Sequence, residues 1–425
     1  MRALFHGWPR RSDQDALHAM NLLVVSQYFW PESFRINELV SSLTKRGVAA
    51  TVLTGKPNYP EGALFHGYKA AGCVVETYGN ASVLRVPMFP RGKRGAWRLA
   101  LNYLSFILSG ASFGLWLLRG RRPDIILVYC PSPLLQALPA LLIGWIKRVP
   151  VVTYVQDLWP ESLEATGYVR SRWILWAVEG VVKFIYRHSG LVLVSSRPFI
   201  DSIRRLAPAA RIGYYPNSVD ASFCDPAAGG PALPVLDQGF CVVFAGNVGS
   251  AQAVQVIVEA AARLMGHRDI CLVVLGSGSE LDRMRQESER RQLTNLHLGG
   301  RYPVEAMPFL LAKASALLVT LADRPIFAAT VPNKIQAYMA VGRPIIACMN
   351  GEGARLVVEA DAGIAVPAED PDALADAVLR LYSMSADQRE QLGANAQAYY
   401  REHFDHEKLV TELIGHLQQM IGSNT

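Results

Sequence analysis

Within the run VPNKIQAYMAVGRP at residues 331–344, Lys334 is the side chain best placed to do chemistry. Val331 and Ile335, with Met339 and Ala340, have helical spacing; Pro332 suits a first turn and Gly342 a stop. A short helix starting there aims a cation and free backbone N–H groups into the space before it. A helix N-terminus already favours negative charge, so this is a place for an anionic ligand. Alone, the segment reads as an ordinary helix–strand unit with one exposed lysine. Two glycine loops change that. GNVG at 246–249 follows one apolar run and precedes a helical one, and GSGSE at 276–280 repeats the arrangement one unit later. Glycine there lets backbone approach a phosphate closely. Neither loop completes G-x-G-x-x-G, and each alone fits a plain tight turn equally well. Three such features on successive units indicate a shared phosphate crevice.

Other candidates carry stronger bland readings. Asp157 follows the apolar run 151–155 and is read as functional over a helix or loop cap; Glu161 is balanced between the two. Asp370-Pro-Asp372 has a D-x-D form that metal sites use. Here it opens the helical stretch 373–381, with Asp370 as N-cap and Pro371 at N1. No His, Cys and carboxylate set has metal-ligand spacing, and no G-x-S-x-G elbow occurs.

The elements that must position these residues are legible as buried-strand runs at 22–26, 50–54, 83–86, 124–129, 151–155 and 191–195, alternating with helical patterns such as 36–46 and 134–146. That alternation argues a parallel sheet with crossover helices. After an Ala, Gly and Pro-rich stretch at 227–237 the grammar restarts, with strands at 240–245, 271–275, 316–320 and 345–348. The fold class is therefore α/β, with two serial doubly wound parallel-sheet domains and a ligand crevice at their carboxyl ends.

Length agrees: 425 residues suit two domains of roughly 200. With 51% hydrophobic and 18% charged residues there is ample material for two cores, and a net charge of +6 suits contact with an anionic membrane surface. The basic residues flank apolar runs and form no aromatic-interleaved stripe, which ranks nucleic acid lower. Six scattered cysteines without a C-x-x-C pair read as reduced small hydrophobes in a reducing cytoplasm. Residues 1–19 are polar and basic without an apolar h-region, and read as a disordered extension or a mis-assigned start ahead of Met20. Within the apolar stretch 97–118, residues 99–118 are long enough to span a bilayer, although Asn102, three serines and two glycines argue against it; Arg91, Lys93 and Arg94 precede the stretch and Arg119, Arg121 and Arg122 follow. A span would split the first sheet between two compartments. The segment is therefore a crossover helix, either buried or lying partly in the membrane interface, and the second is favoured.

From Met20 onward the chain resembles family 4 retaining glycosyltransferases, in the branch that builds bacterial surface polysaccharides such as colanic acid and O-antigen (lipopolysaccharide), including fucosyl- and N-acetylfucosaminyl-type transferases. The resemblance rests on QYFWPE at 27–32, FRIN at 34–37, NYPEG at 58–62, RVP at 85–87, QDLWPE at 156–161 and PNSVD at 216–220. To these it adds the two glycine loops, Gly300-Arg301, EAMP at 305–308 and the 332–344 signature. It implies a GT-B fold, two Rossmann-like domains facing a cleft. The acceptor-side domain would be 20–215, with helix 405–425 packing back on it, and the nucleotide-sugar domain 216–404.

The activity implied is transfer of a hexosyl-type sugar, with retention and without a metal or cofactor, from a UDP- or GDP-sugar to a lipid-linked or glycan acceptor. That acceptor would be an undecaprenyl-diphosphate-linked glycan met by a cytoplasmic, peripherally bound enzyme at the inner face of the plasma membrane. By resemblance, Lys334, Asp157 and Arg301 are catalytic. Gly246, Asn247, Gly249, Gly276, Gly278, Glu280, Asn333 and Lys334 bind donor, and Glu32, Arg35, Gln156, Asp157 and Glu161 lie on the acceptor side.

Departures from the family pattern qualify these roles. Two family glutamates are matched by Ala329 and Ala337, so ribose anchoring is lost or moved, with Glu280 the candidate. An Arg and a Lys after the strand ending at Gly246 are matched by Asn247 and Gln252, leaving the diphosphate to Lys334, Arg301 and backbone N–H groups. The family's N-domain histidine is matched by Gln156. The alternatives are a GT-B nucleotide-sugar epimerase and a catalytically silent partner subunit.

Overall fold

The computed structural model describes residues 20–423 apart from 93–94, 166–168, 170 and 227–228. The expected extension at 1–19 and the basic pair Lys93 and Arg94 lie outside the described residues.

The first sheet comprises β1 (Asn21–Val25), β2 (Ala49–Thr54), β3 (Val74–Tyr78), β4 (Ala81–Arg85), β5 (Ile125–Cys130), β6 (Val151–Val155), β7 (Leu191–Val194) and β8 (Ile212–Tyr214). Its order is β3-β4-β2-β1-β5-β6-β7-β8, parallel except for the β3–β4 hairpin. All six residues of β5 are buried, because helices cover both faces of the sheet. The second sheet comprises β9 (Phe240–Asn247), β10 (Ile270–Ser277), β11 (Leu296–Gly300), β12 (Ala316–Thr320), β13 (Ile345–Cys348) and β14 (Gly363–Val366), all parallel in the order β11-β10-β9-β12-β13-β14. In each sheet the order reverses beside the first strand, β1 or β9. That reversal opens a crevice at the carboxyl ends.

In the first domain α1 (Arg35–Lys45) covers one face, while α2 (Ala96–Leu117), α3 (Ala137–Lys147), α4 (Glu161–Ala165) and α5 (Arg172–His188) precede β5, β6 and β7 along the chain. The core between α2, α3, α5 and the sheet contains Phe106, Ile143 and Ile185. Among the described helices α2 is the one long and apolar enough to cross a membrane. It connects β4 to β5 of one parallel sheet, so it is a crossover.

Two segments tie the domains together. The final helix, His406–Gly422, follows the second domain but buries Leu409, Leu413 and Leu417 in the first domain's core. The short helix Pro325–Ala329 buries Ile326 against the first domain, where the Ser196 hydroxyl donates to the Ala329 carbonyl at 2.5 Å.

One sequence expectation fails here. Cys241 and Cys271 lie directly opposite one another on β9 and β10 and are joined as a disulfide, rather than standing as separate small hydrophobes. Thirty residues separate them in sequence. Only the in-register pairing of two parallel strands brings their sulfurs together. The other four cysteines are free.

Candidate functional site

A cavity of about 800 Å³ lies between the two sheets. The second domain supplies most of its wall, from the ends of β9 and β10, the loop after β11 and the helix Asn333–Val341; Ser33, Tyr59 and Pro60 come from the first. That helix begins after an extended Pro332, which is the N-cap and so stands one residue ahead of its expected place. It ends at Gly342, whose φ of 75° is left-handed, a conformation glycine adopts without strain. Ile335, Tyr338 and Met339 anchor it in the core, and the Ala245 N–H donates to the Tyr338 hydroxyl at 2.9 Å. The first turn is thereby fixed against the end of β9.

Lys334 occupies that first turn. Its Nζ is buried with no hydrogen-bond partner and stands 3.5 Å from the centroid of the Phe244 ring. Burial lowers its pKa to about 7. The ring's negative face gives the ammonium some compensation, and among the described residues no hydrogen-bond acceptor adds to it. Gly246 seats it: at a φ of 120°, a Cβ there would come within 2.9 Å of the Lys334 Cε. The other glycines have a different cause. A Cβ on Gly276 would meet the Gly246 carbonyl oxygen at 1.8 Å, and one on Gly278 the Val248 oxygen at 2.2 Å. They allow two loops to close-pack. A desolvated lysine beside open helix N–H groups can accept an anion and regain its charge as the anion arrives.

Of the residues singled out in sequence, Gly246, Asn247, Gly276, Arg301, Asn333 and Lys334 line this cavity. Gly249, Gly278 and Glu280 are not in the lining. The Gln252 side chain holds the first loop, its Oε1 accepting from Asn247 Nδ2 at 3.0 Å and from the Gly249 N–H at 3.2 Å. Glu280 precedes the helix Leu281–Arg290 and lies 3.7 Å from Arg283. The carboxylate that does line the cavity is the exposed Glu305, quoted in sequence only as part of a motif.

The acceptor-side candidates scatter. Glu32 is buried, and its Oε1 accepts the N–H groups of Asn58 and Tyr59, both at 2.7 Å, while Oε2 accepts that of Phe29 at 3.2 Å. Burial nonetheless raises its pKa to about 7. Its work is to pin the loop that brings Tyr59 to the cavity. Arg35 lines a separate small recess with Glu38, Tyr154 and His406. The Asp157 carboxylate accepts from the Ser162 hydroxyl, and burial pushes its pKa up to about 6. It is absent from the lining of this cavity, where Lys334 and Arg301 both stand. Glu161 keeps one buried oxygen without a partner.

Gln156 reaches the site indirectly. Its Oε1 accepts from Asn217 Nδ2 at 2.7 Å, and the same amide donates to Asn333 Oδ1 at 2.7 Å. Tyr154 donates to Asn217 Oδ1 at 2.8 Å. Asn217 thus connects β6 to the residue beside Lys334. It was visible only within the PNSVD run, because nothing in sequence places it against residue 333.

The D-x-D stretch is a helix start: Asp370 accepts the Ala373 N–H at 2.9 Å, and Asp372 pairs with Arg263. Among the described residues no three His, Cys, Asp or Glu side chains cluster in a way that could hold a metal.

Two family models match. "Glycosyl transferase 4-like domain" matches residues 33–218 and "Glycosyl transferases group 1" matches 239–384, between them most of the chain. A protein of Escherichia coli strain K12 named as a colanic acid biosynthesis glycosyl transferase, WcaI, is 26% identical over 343 residues, covering 76% of this chain and 82% of its own. Among solved structures, sucrose-phosphate synthase from Thermosynechococcus elongatus superposes with a TM-score of 0.73 at 18% identity, covering 95% of this chain and all of that one. HepE of Anabaena, solved with UDP, gives a TM-score of 0.67 at 14% identity, covering 94% of this chain and 100% of that one. These two likenesses establish a shared two-domain fold.

Proposed function

The chain belongs to the glycosyl transferases whose halves are the 4-like and group 1 domains, and from that premise we propose which transfer it performs. It moves a sugar, with retained anomeric configuration, from a nucleoside diphosphate to a hydroxyl of a lipid-linked glycan acceptor in bacterial surface-polysaccharide synthesis. The observation that carries this reading is the unpartnered Lys334 Nζ, buried at a helix N-terminus in the inter-domain cavity. As the bond between sugar C1 and the phosphate oxygen breaks, negative charge gathers on the leaving diphosphate. Lys334, Arg301 and the helix N–H groups are aimed at it. The new bond to the acceptor oxygen forms on the same face, and the acceptor's proton passes to the departing phosphate oxygen, so no separate protein base is needed. Cationic side chain and backbone take the part a metal would play, and Asn217 keeps Asn333, and with it the helix start, in register with the first domain. The polysaccharide context is supported by the name of the Escherichia coli relative. The acceptor's lipid places the enzyme at the inner face of the plasma membrane.

Incubation with a panel of UDP- and GDP-sugars and a polyprenyl-diphosphate glycan tests this. Release of nucleoside diphosphate coupled to growth of the lipid-linked glycan is expected. A sugar altered while still on its nucleotide, or no nucleotide binding at all, would overturn it.

A further inference from the structure

Amphipathic helices on a sheet normally turn polar residues outward. Three helices of the first domain carry large apolar residues on the outer face as well as the inner one. On α2 the outward stripe is Leu101, Leu104, Leu108 and Trp116, with Leu108 70% exposed. On α3, which packs between α2 and α5, Trp145 is 79% exposed. On α5, Trp173 is 81% exposed, beside Trp176 and Phe184. Five of the chain's eight tryptophans (97, 116, 145, 173 and 176) stand exposed on these helices. Single exposed apolar residues need no explanation, but large apolar side chains exposed together on three neighbouring helices mark a contact surface.

Charge identifies the partner. Residues 96–122, 134–150 and 172–188 hold nine Lys and Arg against one carboxylate, Glu179, which is already paired with Lys183 at 2.5 Å. A second copy docked on this face would set positive against positive. An anionic bilayer matches both features, since tryptophan favours the headgroup layer, and Arg and Lys can rest apolar stems on lipid while their heads meet phosphate. An apolar groove of about 850 Å³ between the ends of α3 and α5, floored by Val151 and Met420, opens beside Trp145 with Arg148 and His188 in its wall. It offers hydrocarbon a recess that a flat polar surface lacks.

We propose that the joint outer face of α2, α3 and α5 lies in the headgroup layer of an anionic bilayer and fixes the enzyme's orientation there. This deepens the membrane side of the function proposed above. It is tested without donor or acceptor, so its failure would leave nucleotide binding and transfer unaffected.

The intact chain is mixed with vesicles of phosphatidylglycerol and phosphatidylcholine carrying brominated acyl chains, which quench nearby indoles. More than half of the tryptophan emission is expected to be quenched, with little effect from phosphatidylcholine alone. The variant Trp145→Ser/Trp173→Ser/Trp176→Ser, checked for an unchanged melting temperature, is expected to bind at least tenfold more weakly. If that variant does not fold, Trp173→Ser alone is expected to weaken binding at least twofold. Emission indifferent to brominated phosphatidylglycerol would overturn the proposal, as would unchanged binding of the folded variant. A wild-type dimer in sedimentation that the substitutions split would assign the face to a second copy instead.

Discussion

A buried carboxylate in the first domain and a buried ammonium in the second are held in opposite ways. Glu32 is almost fully enclosed, yet three backbone N–H groups converge on it. The Lys334 Nζ is enclosed with no hydrogen bond, resting on the Phe244 ring. Desolvation moves both toward neutrality, Glu32 upward and Lys334 downward, each to about 7. A buried charge whose bonds are filled is part of the architecture. One left empty in a cavity wall is waiting for a ligand. Sequence singled out Lys334 from its own helix and Glu32 only through the family resemblance, and in the structure the two differ in their partners.

Substitutions can break that contrast. Glu32→Ala leaves the buried N–H groups of Phe29 and Asn58 and the half-buried one of Tyr59 without acceptors, each buried one costing about 1–3 kcal/mol, so the first domain should lose on the order of 4 kcal/mol of stability. Chemical denaturation with tryptophan emission measures this. A variant as stable as wild type would make Glu32 a ligand group after all. Lys334→Met should do the reverse. Its melting temperature should equal or exceed that of wild type, while transfer falls about a hundredfold, the equivalent of about 3 kcal/mol in the transition state. Activity within a factor of two of wild type would remove Lys334 from the mechanism.

Asp370→Ala should cost about 1 kcal/mol of stability through the lost N-cap and leave the transfer rate unchanged. The smallest expected effect is none: transfer should persist in excess chelator. A complete loss restored by divalent metal would return Asp370 and Asp372 to consideration first.

Strands buried on both faces were legible from sequence because their apolar runs are continuous, as in β5 and β12. β3, reading VVETY, was not, since it is an exposed antiparallel edge interrupted by Glu76. β14 was missed for another reason, because its GIAV is too short to stand out from the flanking apolar residues. The Lys334 helix could be placed from its breakers Pro332 and Gly342, local signals that survive any tertiary context. Asn217, Glu305 and the cysteine pair could not, because their meaning comes from residues 30 or more positions away or from the facing domain. Gly276 and Gly278 were readable as special, but their cause is the close approach of two loops, which only the register of β9 and β10 reveals.

In the mechanism proposed, the unpartnered Lys334, mostly neutral above pH 7, is recharged by the diphosphate it binds. The direct test is calorimetric titration with UDP and with GDP at pH 8.5, in two buffers of different ionisation enthalpy. The free diphosphate is fully ionised at that pH. A lysine whose pKa rises from about 7 in the free protein to well above 8.5 in the complex must take up a proton on binding. Uptake approaching one proton per bound nucleotide is expected in wild type, with none in Lys334→Met. Nucleotide binding by the wild-type protein without proton uptake would contradict the account.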